Sequence, residues 1–137
     1  MNSKNKKIKV KSDITIFLPI RKGSKRIKNK NIKPLPGLKF GLTELKINQL
    51  NKLRIIYKKN FNKNIDIIIA TDCEKIINFT KNINWLKVIK RERNLSTDHS
   101  LSKLINYVPK ICLNKYILWT HVTSPLFNEK DYLNFIK

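Results

Sequence analysis

Apolar residues fall along this chain in two alternating patterns. Four short runs are almost uninterrupted: residues 14–20, 66–70, 85–89 and 116–120. Runs of this length without polar alternation are what a parallel sheet buried on both faces requires of its strands. Between them apolar residues recur at helical spacing. Leu42, Leu45, Ile47, Leu50, Leu53, Ile56 and Tyr57 predict a helix over residues 41–59. Ile76, Ile77 and Phe79 predict a short one over 74–81. Leu101, Leu104, Ile105, Val108 and Cys112 put one apolar side on a helix over 100–113, with Pro109 as a weak point. A last helix is expected from residue 128 to 137. Strands alternating with helices predict an α/β fold, a three-layer α/β/α sandwich of four parallel strands with residues 14–20 at its centre.

Ligands in such sheets bind beyond the carboxyl ends of the strands. That rule collects the polar constellations on one rim. Residues 21–31 follow the first run, and Gly23, Ser24 and six Lys or Arg side chains between Arg21 and Lys30 make them a basic, glycine-containing loop. Backbone N–H groups can approach phosphates where glycine removes the Cβ, and the cations neutralise them. Neither a Walker A loop nor G-x-G-x-x-G is present. Thr71 and Asp72 follow the second run, where either could cap the next helix. Residues 91–98 follow the third run and His121 to Pro125 the fourth.

Composition changes this picture only a little. A chain of 137 residues is one domain on ordinary priors, here read as a basic tail (1–13) and a folded part (14–137). The net charge of +21 would suit nucleic acid or an anionic membrane. Lys outnumbers Arg 25 to 5, however, and Asn and Ile are also abundant, as A/T-rich codons would favour. Charge alone therefore does not indicate nucleic-acid binding. No run is long enough to span a membrane and no signal peptide is readable, so a cytoplasmic protein is expected. Cys73 and Cys112 are far apart and the chain has two histidines; both thiols are expected to be reduced and packed, with no zinc site.

Taken in order, Arg21-x-Gly-Ser-Lys-Arg-x-x-x-Lys30-Asn31, Ala70-Thr71-Asp72, Arg91-x-x-x-Leu-x-x-Asp98 and Thr123-Ser124-Pro125-Leu126 resemble the acylneuraminate cytidylyltransferases, also called CMP-sialic acid synthetases. These enzymes join CTP to a nonulosonic (sialic-type) sugar acid and release pyrophosphate. The resemblance covers roughly residues 14–137. It implies a Rossmann-like nucleotidyltransferase fold, mostly parallel and truncated, that is, the amino-terminal part of a longer homodimeric enzyme.

The resemblance also implies roles. Arg21 and Lys30 would face the CTP phosphates and stabilise charge as pyrophosphate leaves. Gly23, Ser24, Lys25 and Asn31 would complete the loop. Arg91 would lie near the cytosine, and Asp98 would close that block. His121, Thr123, Ser124 and Pro125 would wall the ribose and the incoming sugar acid. His121-Val122 stands where the family usually has Gln-Pro. The family binds Mg²⁺ through paired aspartates, and no Asp-x-Asp occurs here. Little or no synthetase turnover is therefore expected of this chain by itself. The other functional readings are a non-catalytic basic module binding nucleic-acid phosphates and an inactive remnant.

Overall fold

The computed structural model describes residues 12–24, 26–96 and 100–137. The basic tail is therefore outside the described residues except for Ser12 and Asp13, and so are Lys25 and Asp98. Four strands form one parallel sheet in the order β3-β2-β1-β4: β1 Ser12–Ile20, β2 Asn64–Thr71, β3 Leu86–Lys90 and β4 Tyr116–Trp119. As expected, β1 is internal, pairing Ile16 with Ile67 on one side and with Leu118 on the other. The helices are α1 Gly41–Phe61, α2 Glu74–Thr80, α3 Leu101–Ile111 and α4 Glu129–Ile136, with a 3-10 turn at Arg93–Leu95.

Strand periodicity of two divides the core. Ile14, Ile16, Leu18 and Ile20 pack with Ile65, Ile67 and Ile69 against Ile47, Leu50 and Leu53 of α1, Ile76 of α2 and Tyr132 of α4. Phe17, Ile68 and Ala70 face the other way and meet Leu104, Val108 and Cys112 around α3. The sheet thus lies between two helical layers. Both cysteines are buried and unpaired with each other. Among the described residues no helix is long and apolar enough to cross a membrane.

Two local expectations are corrected. Leu101 and Ile105 share the predicted apolar side of α3 with Leu104 and Val108, yet they are 60% and 51% exposed. Leu104, Val108 and Cys112 are the buried residues that meet Phe17 and Ile68, with Tyr107 and Ile111 partly buried beside them, because a single helix on this face covers a narrow band of sheet. The sequence offers Thr71 or Asp72 as a cap for the next helix. The N-cap position of α2 is Cys73, without a side-chain cap, and Asp72 is engaged elsewhere.

Candidate functional site

The basic loop leaves β1 at its carboxyl end and is held by short polar side chains. Asp72 Oδ1 accepts the Lys22 backbone N–H at 2.5 Å, tying the loop to the end of β2. Gly23 then takes a positive φ of 80°, which most residues resist. Ser24 Oγ donates to the Ile27 carbonyl and accepts the Lys30 N–H at 3.0 Å, closing a small ring within the loop. The Asn31 carbonyl accepts both the N–H and the hydroxyl of Thr43, at 2.9 and 2.7 Å, which seats the loop on the first turn of α1. Removing the Asp72 acceptor should loosen the start of the loop. Asp72→Ala is expected to speed trypsin cleavage within residues 21–31 about fivefold, the value of one hydrogen bond, while Asp72→Asn, which keeps an acceptor, should not. Equal digestion of all three proteins would remove Asp72 from this role.

Beyond the carboxyl ends of the strands lies an open cavity of about 520 Å³. Arg21, Gly23, Ser24, Arg26, Lys30 and Asn31 of the loop line one side, and Arg91 stands after β3. Trp119, His121, Val122 and Thr123 line the side at the end of β4, and Leu101 and Leu104 belong to α3. Four of these residues are Arg or Lys, and no carboxylate is among the described lining residues. Arg91 is only 7% exposed. Its Nη2 donates to the Leu95 carbonyl, its Nε has no partner among the described residues, and burial lowers its pKa, with Asp72 opposing that and Arg21 adding to it. An anion or an acceptor-rich ligand at this guanidinium would offset the desolvation that Asp72 and the Leu95 carbonyl offset in part.

The site thus assembles Arg21, Gly23, Ser24, Lys30, Asn31, Arg91, His121 and Thr123 from the sequence-derived set. Ser124 and Pro125 fall outside the lining. Their carbonyls instead accept hydrogen bonds from Lys46 and Gln49 of α1. Lys25 and Asp98 lie outside the described residues. Sequence reasoning missed Trp119 and Val122, although both flank His121 at the strand end. Trp119 packs edge-on against Phe17 at 4.9 Å, which fixes its ring at the cavity wall.

The family model described as Cytidylyltransferase matches residues 15–137. The chain belongs to the cytidylyltransferase family. No curated protein sequence matches it. Among solved structures it resembles CMP:2-keto-3-deoxy-manno-octonic acid synthetase complexed with CTP, with a TM-score of 0.63 and 15% identity. The match covers 91% of this chain and 46% of that one, so this chain spans under half the length of that relative. At this identity the likeness shows the fold: a parallel four-stranded sheet flanked by helices, as in Rossmann-like nucleotidyltransferases.

Within this cytidylyltransferase fold Lys46 is a residue that periodicity does not reveal. It sits on α1 with no exposed surface. Its ammonium donates to the Ser124 carbonyl at 2.9 Å, the Phe127 carbonyl at 2.9 Å and the Tyr132 hydroxyl at 3.0 Å. Burial lowers its pKa to about 8, with the Asp131 carboxylate opposing the shift. Between pH 8 and 10.5 the unfolded lysine therefore keeps a proton that the folded one has released, so stability rises with pH in that window. Solvent near the exposed Ser124 and Phe127 screens part of the effect, leaving about 1–2 kcal/mol. Urea unfolding at pH 7.5 and 10 should show this rise in the wild type and not in Lys46→Met. A parallel change in both proteins would assign the titration to another group.

Proposed function

We propose that this chain carries the nucleotide-binding part of a cytidylyltransferase that transfers CMP from CTP to a sugar acid of the nonulosonic, sialic type. The observation that carries the reading is the cavity at the carboxyl rim, walled by Arg21, Arg26, Lys30 and Arg91 with no carboxylate among its described lining residues, in a chain of this family. Such a wall suits a triphosphate. Arg21, Gly23, Ser24, Lys25, Lys30 and Asn31 are its proposed seat, with Lys30 stabilising the charge that gathers on departing pyrophosphate. Arg91 is proposed at the cytosine, and Asp98 beside it. His121 and Thr123 are proposed for the ribose and sugar-acid side, with Ser124 and Pro125 supporting them from behind.

The sugar acid would attack the α-phosphate of CTP through its anomeric hydroxyl, and the protein's part would be to position the two reactants and balance charge. Two observations support a sugar acid as acceptor. The order of motif blocks from Arg21 to Leu126 resembles the acylneuraminate enzymes, and one solved structure of similar fold is a synthetase of another keto-deoxy sugar acid. Mg²⁺ is proposed as the cation that accompanies CTP. Among the described residues no group of three or more His, Cys, Asp or Glu stands together to hold it, so no step is routed through the metal. Homodimerisation is likewise proposed from the resemblance.

Calorimetric titration with CTP, CMP, ATP and GTP tests the nucleotide reading. CTP is expected to bind more tightly than the purine nucleotides and more tightly than CMP, since the distal phosphates meet the loop. Equal affinity for CTP and CMP would overturn it. Duplex DNA is expected to bind weakly at physiological salt and not to displace CTP. Tight duplex binding that survives roughly 0.2 M salt would favour a nucleic-acid module instead.

A further inference from the structure

We propose that Lys46 is a positioning residue for the nucleotide cavity: one buried ammonium on α1 anchors both ends of the segment 121–123 that forms the wall beside β4. At the near end, the Thr120 N–H makes the last bond to β1, donating to the Phe17 carbonyl at 3.0 Å. The Thr120 hydroxyl lies 2.5 Å from the Tyr132 hydroxyl, and Tyr132 in turn accepts from Lys46. At the far end, the same ammonium binds the Ser124 and Phe127 carbonyls, and Gln49 Nε2 donates to the Pro125 carbonyl at 2.8 Å. His121, Val122 and Thr123 run between these two anchors and line the cavity.

A purely packing role would not call for this residue. A methionine fills similar space without burying a charge, and replacing buried ionic groups by apolar ones of like volume is often neutral or stabilising. What the ammonium adds is three donors diverging from one point. They reach two carbonyls of an irregular turn, of which that of Ser124 also accepts the Phe127 N–H, and one hydroxyl of α4 that also bonds Thr120, so one ammonium ties these groups together. The titratable and charged groups that bear on Lys46 are Tyr132 and Asp131, both on α4. The Asp131 carboxylate is itself committed to the Asn128 N–H at the start of that helix. Among the described residues no carboxylate is hydrogen-bonded to the ammonium, whose bonds go to the turn and to Tyr132.

The ligand part of this proposal rests on the cavity being the CTP site; the turn part does not. Hydrogen exchange read peptide by peptide tests the turn. In Lys46→Met, residues 120–128 are expected to exchange at least about tenfold faster, the value of losing hydrogen bonds to a charged donor. Residues 64–71 of β2 should be unchanged. Tyr132→Phe keeps the ring and removes only the hydroxyl, so it should act in the same direction by about threefold, and it decides the matter if Lys46→Met fails to fold. Unaltered exchange at 120–128, or equal acceleration at 64–71, would overturn the proposal.

The ligand arm compares CTP with inorganic tripolyphosphate. The phosphate loop is held by Asp72 and Thr43, whereas Lys46 holds Ser124, Phe127 and Tyr132. Lys46→Met should therefore raise the CTP dissociation constant about tenfold and leave that of tripolyphosphate within about twofold. Equal losses for both ligands would mean a general structural effect and count against positioning. If the wild-type chain binds neither ligand, the nucleotide reading fails, and hydrogen exchange alone still decides the role of Lys46.

Discussion

Gly41→Ala is expected to destabilise the protein by about 3 kcal/mol or more and to disorder the basic loop with it. Gly41 opens α1 at a φ of 55°, and a Cβ there would stand 2.0 Å from the Lys33 carbonyl oxygen. The obstacle is backbone, so no side-chain rotation relieves it. Either the left-handed conformation is abandoned, which shifts the first turn of α1, or the 32–33 segment moves away. Both responses break the pair of bonds from Thr43 to the Asn31 carbonyl. Urea unfolding followed by circular dichroism measures the loss. A change below about 1 kcal/mol would show that residues 32–41 do not pack as described. Trypsin cleavage in residues 21–31 should increase in the same variant, because the seat of the loop has gone.

Lys30→Ala is expected to weaken CTP binding by about 1.5–3 kcal/mol, the range for a hydrogen bond to a charged group. Its side chain lines the cavity while its N–H is held by Ser24 and the Ile27 carbonyl. The substitution therefore removes the cation and leaves the loop path intact. CMP lacks the distal phosphates proposed to meet Lys30, so its affinity should fall much less. Calorimetry on both nucleotides separates the outcomes. Equal losses for CTP and CMP would move Lys30 to the α-phosphate, and no loss for either would remove it from the site.

The sheet was legible because a parallel strand covered on both faces must be apolar throughout. Ile67, Ile68, Ile69 and Ala70 read directly as β2 for that reason. The stripe of Leu50, Leu53 and Tyr57 likewise announced α1. Lys46 could not be read, because one lysine in 25 carries no mark of burial and its partners lie 78 to 86 residues further on. Asp72 shows the opposite failure. A local rule offered it, with Thr71, as a helix cap, but the Lys22 N–H, 50 residues away, took the carboxylate. In the α3 stripe, Leu101 and Ile105 matched the helical period without gaining cover, since periodicity reports a face and not what lies against it. At the site, the rule of strand ends collected the cations correctly in space. It could not tell that the Ser124 and Pro125 carbonyls bond Lys46 and Gln49 of α1.

The way the loop is pinned makes it a socket whose exposed side chains are exchangeable. Asp72 and Thr43, both outside the loop, grip it by the Lys22 N–H and the Asn31 carbonyl, and Ser24 closes it by backbone contacts. None of these contacts depends on the side chains at positions 26 or 28, which are exposed. An engineer could therefore rewrite those positions, exchanging Arg26 and Lys28 for neutral or acidic residues, and change what charge the rim welcomes without redesigning its path.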